Sequence, residues 1–154
     1  MNILVPIDGS PASLRALDYA IAHYPEASFV LLNVQDLGSE LAGVSISGAG
    51  LMPGFETTHP GWLMSFSDWN ELMEQAAAKA LKEATAKSEA AHIAFETFVR
   101  IGATAETIAE VVGEKSVDHI VMGTRGLGRI QGLLLGSVAT KVIYLAEVPI
   151  TLIK

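Results

Sequence analysis

The 154-residue chain contains no cysteine, which removes disulfides, thiolate metal ligands and thiol nucleophiles together. Its four histidines stand at 23, 59, 92 and 119 with no ligand-like spacing, so no protein-built zinc site is expected. Basic residues are scarce. Ten Lys and Arg face 17 Asp and Glu, for a net charge of −7. Broad binding to nucleic acid or to an anionic membrane needs a basic face, so neither partner is expected. Long apolar runs are missing too: the longest tract, 133–146, is interrupted by Ser137, Thr140 and Lys141 and falls short of a spanning helix. Residues 1–8 lack the charged start and long apolar stretch of a signal peptide, and the expectation is a cytoplasmic protein. The Walker loop Gly-x-x-x-x-Gly-Lys-Ser/Thr is absent, as are a His-x-Gly-His motif and a Gly-x-Gly-x-x-Gly after the first strand.

What is present is a foldable chain. Half of its residues are hydrophobic, and the length suits a single domain spanning 1–154. Residues 3–7 are a continuous apolar run, the pattern of a strand buried on both faces, and residues 29–34 read as a second buried strand. Between them Ser10 is placed to cap a helix and Pro11 to occupy its first position. Leu14, Leu17, Ile21 and Tyr24 then recur at helical spacing until Pro25. Residues 68–92 read as a long helix with an apolar stripe through Leu72, Met73, Ala76, Ala77, Ala80, Leu81 and Ala84. Residues 93–101 alternate, with Phe95, Thr97, Val99 and Ile101 on one face and Glu96 and Arg100 on the other, as an edge strand should. Thr104 is placed to cap a third helix carrying Ile108, Val111 and Val112. A fourth strand follows at 120–122, then a fourth helix marked by Val138, Val142 and Leu145, and a closing strand at 148–153 whose Pro149 suits an edge. Five strands alternating with four helices imply an open parallel α/β sheet covered on both faces. If strands one and four are neighbours, the strand order reverses between them and a ligand crevice opens beyond their carboxyl ends.

The strongest functional signal follows strand four. A loop carrying Gly123, Gly126, Gly128, Gly132 and Gly136 runs into a helix at Ser137. Glycines let bare backbone N–H groups approach a ligand closely, and a helix N-terminus adds unpaired donors and partial positive charge. Together they favour a phosphate. Arg125 and Arg129 lie in the loop, and no acidic residue stands between Asp118 and Glu147. Ser137 is read as both N-cap and phosphate contact, roles that use the same helix end. Arg125 is either a solvated loop charge or a phosphate contact. Asp8, at the end of strand one, is the carboxylate placed to reach the crevice, although an aspartate there also suits a turn cap. His23 suits the dipole of helix one, and His119 lies at the wrong end of its strand for the site.

These stretches resemble the universal stress protein family in its small single-domain form. The resemblance rests on Ile3-Leu4-Val5-Pro6-Ile7-Asp8-Gly9-Ser10, on Gly123-Thr124-Arg125-Gly126 through Gly136-Ser137-Val138, and on Val148-Pro149-Ile150. It implies a Rossmann-like, adenine nucleotide alpha-hydrolase-like sheet of order 3-2-1-4-5. In the ATP-binding branch it implies that Gly123, Gly126, Gly136 and Ser137 surround the phosphates. Pro6, Ile7 and Asp8 then face the adenosine end, backbone near Val34 meets the adenine, and Met122 and Val138 line the site. Many relatives carry a histidine where this chain has Asn33. The implied cofactor is ATP with Mg or Mn bridged by its phosphates, with AMP or ADP as the shorter alternatives. The implied assembly is a homodimer through the C-terminal edge strand 148–154, acting on an unknown protein partner.

Phosphoryl transfer needs a metal on the phosphates and a group orienting the nucleophile. The cradle offers no acidic candidate for that second task, so the expectation is a nucleotide-dependent stress-response module with slow ATP hydrolysis at most, not a turnover enzyme. The rival reading draws on the segment 36–67, rich in Gly, Ser and Pro and long for a connection inside a compact domain. It holds Met52, Phe55, Trp62, Met64 and Phe66, with Trp69 just beyond. Those side chains either cover an apolar patch or serve as a lid or partner surface. In the latter case the protein is a nucleotide-free interaction or holdase-like protein using residues 52–69.

Overall fold

Apolar runs without alternation can only be satisfied at the middle of a layered fold, and that is where they lie. A computed structural model of the chain describes residues 1–36, 66–124 and 135–154. In order along the chain its elements are β1 (Asn2–Pro6), α1 (Pro11–His23), β2 (Ser28–Gln35), α2 (Phe66–Ala90), β3 (Ala94–Ile101), α3 (Thr104–Glu114), β4 (His119–Gly123), α4 (Ser137–Leu145) and β5 (Ile150–Ile153). The strands form one sheet of order β3-β2-β1-β4-β5, and every pairing is parallel. This is the 3-2-1-4-5 order that the family resemblance implied. The aromatic segment 52–65 and the loop residues Arg125, Gly126, Gly128, Arg129 and Gly132 lie outside the described residues.

Strand periodicity sends neighbouring residues to opposite faces. On one face Ile3, Val5, Ile7, Phe29, Leu31 and Val121 pack with Ala16, Leu17 and Ala20 of α1 and Leu81 and Ala84 of α2. On the other, Leu4, Val30, Leu32, Ile120 and Met122 pack with Ile108, Val111 and Val112 of α3 and Ala139 and Val142 of α4. Each fully buried large aliphatic or aromatic side chain in these layers contributes about 1.5–3 kcal/mol relative to exposure. The ion pairs add little by comparison. Lys87–Asp18 at 2.8 Å and Lys141–Glu106 at 2.7 Å sit in solvent, where such pairs contribute roughly 0–1 kcal/mol. The hydrogen bond from Lys141 does hold the Glu106 carboxyl below its ordinary range.

Helix α1 begins as its sequence requires. Ser10 Oγ accepts from Ser13 N at 3.2 Å, and Pro11 fills the first helical position. Helix α3 differs from expectation. Its N-cap is Ala103, no side chain caps it, and Thr104 is already helical. The turn at Gly102 is set by its N–H donating to Gln35 O at 3.1 Å, which places the helix start one residue earlier than Thr104 would.

Strand β3 is an edge strand, but its faces are not cleanly divided. Phe95 and Phe98 are half-buried on opposite faces, while Val99 and Ile101 are 43% and 52% exposed. Phe98 is held by cations: Lys115 Nζ lies 3.7 Å and Arg100 Cζ 4.8 Å from its ring centre. Those cations are tied in turn to Glu96 and Glu114.

Helix α1 and strand β4 meet at their ends. A Cβ added at Gly123 would lie 2.9 Å from both the carbonyl carbon and the Cβ of Ala12. Backbone is on the other side of that contact, so it cannot yield cheaply. Gly123→Ala is therefore expected to cost about 1–3 kcal/mol through overpacking, a fall of roughly 2–12 °C in Tm for a chain of this size. Gly113, in α3, would place a new Cβ in open space with nothing within 4 Å. Gly113→Ala should instead stabilise by about 0.5–1 kcal/mol through helix propensity. Thermal melts of the two variants in parallel check both signs.

Candidate functional site

The site is assembled from two chain ends on either side of the strand-order reversal. On the β1 side, Ile7 N donates to Leu32 O at 2.8 Å, and the chain then turns at Asp8 and Gly9. Gly9 takes φ +78°, which a side chain would resist, and a Cβ added there would lie 3.3 Å from the α-carbon of Ala80 in α2. Asp8 Oδ1 accepts from Ser10 N at 2.9 Å, the Asx turn that leads into α1. One carboxylate oxygen is thus committed to the turn. The other accepts no hydrogen bond from the described residues, and Asp8 is half-buried.

On the β4 side, Met122 is buried and Gly123 ends the strand against Ala12. Thr124 is buried as well. Its N–H donates to Ile153 O at 2.8 Å, and its carbonyl accepts from Gly136 N at 2.7 Å. That last bond brings the two ends of the glycine-rich segment together beside β5, so the start of α4 is pinned to the end of β4.

Helix α4 then begins without a side-chain cap. Its N-cap is Gly136, with φ −74° and ψ 161°, and Ser137 is the first helical residue, exposed. The expectation that Ser137 caps this helix is therefore corrected. Gly136 already has extended dihedrals and its carbonyl receives both Thr140 N at 3.0 Å and Thr140 Oγ1 at 2.9 Å. The consequence is chemical. The first-turn amides of Ser137, Val138 and Ala139 have no intrahelical acceptor, and a glycine N-cap offers them none. Uncapped donors at the positive end of a helix dipole are a binding surface for an anion.

The residues singled out from sequence are therefore distributed as follows. Pro6, Ile7 and Asp8 form the end of β1 and its turn, and Gly123 reaches that turn through Ala12. Gly136 and Ser137 are drawn to the same end of β4 through Thr124. Val34, Met122 and Val138 share one apolar cluster on the α3 and α4 side, with Met122 buried and the two valines half-buried. Arg125 and Gly126 fall outside the described residues. His119, at the opposite end of β4, bonds Thr151 Oγ1 at 2.9 Å, and His23 stacks on Tyr19. Among the described residues no group of three His, Asp or Glu converges as metal ligands, and no helix is long and apolar enough to cross a membrane.

Sequence reasoning missed three contributors. Ala12 is the surface that makes Gly123 obligatory, and Thr124 is the pin. Asn33, buried at 3% exposure, donates from Nδ2 to Ile7 O at 2.7 Å. Its signal was a single amide inside an otherwise apolar run, and such a group is normally buried only with a partner.

A model of the universal stress protein family matches residues 56–154. A universal stress protein of Methanocaldococcus jannaschii is 31% identical over 155 aligned residues, which cover 99% of this chain and 81% of that one. The solved structure of a universal stress protein from Lactobacillus plantarum shares the fold, with a TM-score of 0.74 at 23% identity, covering 100% of this chain and 97% of that one. A universal stress protein solved in complex with cAMP is 25% identical, with a TM-score of 0.64 and coverage of 100% and 97%. By sheet order, by the matched region and by similarity along nearly its whole length, the chain belongs to the universal stress protein family.

Proposed function

We propose that this protein is a nucleotide-dependent stress-response module that binds ATP across the end of the sheet and hydrolyses it slowly at most. The observation that carries the reading is the uncapped first turn of α4, pinned to the end of β4 beside the Asp8 turn. Those amides fit phosphate oxygens, which need several donors at one point. The Asp8 oxygen that accepts no hydrogen bond from the described residues fits a donor at the sugar end, and the apolar cluster of Val34, Met122 and Val138 fits a base. The family member in complex with cAMP supports an adenine nucleotide as the ligand class. Arg125 and Gly126 complete the phosphate contacts in this proposal. Magnesium or manganese would ride on the phosphates, and AMP or ADP would occupy the same base and sugar positions with fewer amide contacts. No carboxylate other than Asp8 belongs to the proposed site, which is why retention, not turnover, is the proposed behaviour. The protein is proposed to work in the cytoplasm, signalling through a protein partner.

ATP that binds the native state must stabilise it. At a hundredfold excess over Kd the gain is about 2.7 kcal/mol, a rise of roughly 5–11 °C in Tm. Asp8→Ala should weaken ATP about tenfold or more, the loss of one hydrogen bond to a charged group, and Gly126→Val should weaken it by obstructing the close approach of backbone. Scanning fluorimetry with millimolar ATP and magnesium checks this; no shift with the unmodified protein refutes nucleotide binding.

The edge strand β5 supports the homodimer proposal. Ile120 N donates to Pro149 O and Thr124 N to Ile153 O, so alternate residues turn toward β4. Ile150 and Leu152 therefore present their backbone groups on the open side, where another chain would pair. Proline is tolerated at an edge position whose N–H faces outward. Leu152→Pro is expected to keep the fold and convert a dimer into a monomer in light scattering. A dimer that survives it would move the interface elsewhere.

A further inference from the structure

We infer that Asn33 is a positioning residue for Asp8, and through it for the sugar end of the nucleotide. The inference rests on the nucleotide reading proposed above. Strand β1 pairs with β2 from Asn2↔Ser28 to Pro6↔Leu32, and Ile7 N makes one further bond to Leu32 O. The pairing with β4 covers only Ile3↔His119 and Leu4↔Ile120. The next carbonyl, that of Ile7, therefore lies beyond both ladders, on a residue 2% exposed. A buried carbonyl without a partner is costly.

Asn33 supplies the partner from the neighbouring strand. Its Nδ2 donates to Ile7 O at 2.7 Å, and the bond is buried. Gln35, two residues on, donates from Nε2 to Asn33 Oδ1 and so fixes which way the Asn33 amide faces. A chain of donors thus runs from Gln35 through Asn33 to the peptide that joins Ile7 to Asp8. That peptide plane sets the direction in which Asp8 leaves the strand. Asp8 is held at its other side by the Ser10 N–H on Oδ1, so the two restraints together fix where Oδ2 points. An apolar residue at 33 would fill the space equally well and leave the Ile7 peptide free to rotate. The amide is there for orientation.

The test is a double-mutant cycle, which separates action through Asp8 from independent damage. ATP affinity is measured calorimetrically at a temperature well below each Tm, for the unmodified protein, Asn33→Leu, Asp8→Ala and the double variant. Asn33→Leu should weaken ATP about tenfold, and in the Asp8→Ala background it should weaken ATP less than about twofold. A merely structural role would lower Tm without moving the affinity of the folded protein. Asn33→His is the rescue: its Nδ1–H stands where the asparagine Nδ2 stands relative to Cγ, and ATP affinity should return to within about threefold. Should Asn33→Leu not fold, Gln35→Met removes the bond that orients the amide at a half-buried strand end. It should weaken ATP about threefold, and not in the Asp8→Ala background. Unchanged affinity in Asn33→Leu, or in Gln35→Met where that variant stands in, overturns the inference, as does an equal loss with and without Asp8. If the unmodified protein binds no ATP at all, the nucleotide reading fails and takes this inference with it. ATP binding that is indifferent to residue 33 sinks the inference alone.

Discussion

The pairing of β1 with β4 is the constraint on which the rest of the structure depends. Their ladder is short, Ile3↔His119 and Leu4↔Ile120, and it joins two strands separated by most of the chain. From β1 the chain crosses to the face covered by α1 and α2; from β4 it crosses to the face covered by α3 and α4. The two connections leave in opposite directions, which makes this end of the sheet a topological switch point, the place where open α/β sheets bind their ligands. The Asp8 turn follows β1 and the uncapped start of α4 is pinned to the end of β4, both at that end of the sheet.

Closeness at that point is achieved with small groups. Gly123 lies where any side chain would meet the Ala12 backbone, and Gly9 turns against Ala80 with positive φ. Helices carrying alanine toward the sheet, such as Ala16, Ala20 and Ala84, extend the same economy of volume into the core. Among the described residues, buried side-chain polar groups are partnered: Ser13 Oγ donates to Ser10 O at 2.9 Å, Ser88 Oγ to Ala84 O at 2.9 Å, and the Asn33 amide to Ile7 O. The exposed ion pairs decorate a fold that burial already secures.

The same economy bears on function. The phosphate end of the proposed site, made of main-chain amides and a glycine N-cap, offers hydrogen-bond donors without offering proton acceptors. Donors of that kind hold charge; they do not activate a nucleophile. Stabilising an anion and leaving it intact is the behaviour that such a surface favours, which is why the proposed role is that of a nucleotide-holding module.

Much of this was legible in the residues. The apolar run at 3–7 and the nearly apolar one at 29–34 declared buried parallel strands, and Ser10-Pro11 declared a helix start, because strand periodicity and capping depend on neighbours a few positions apart. The glycine at the end of β4 marked a close approach, which Gly123 makes to Ala12. Other features had no local signature. Ala103 and Gly136, not Thr104 and Ser137, became the N-caps because distant backbone contacts set where each helix begins. The half-buried Phe98 of β3 takes its place from Lys115 and Arg100, and Asn33 finds its acceptor 26 residues away. Sequence by itself determined which segments are strands, which are helices and where a glycine-rich turn runs into a helix, since those follow from interactions within one turn or one pleat. Tertiary structure alone decided that Asp8, Gly123 and the start of α4 share one end of the sheet, because strand adjacency is set by packing between segments far apart along the chain.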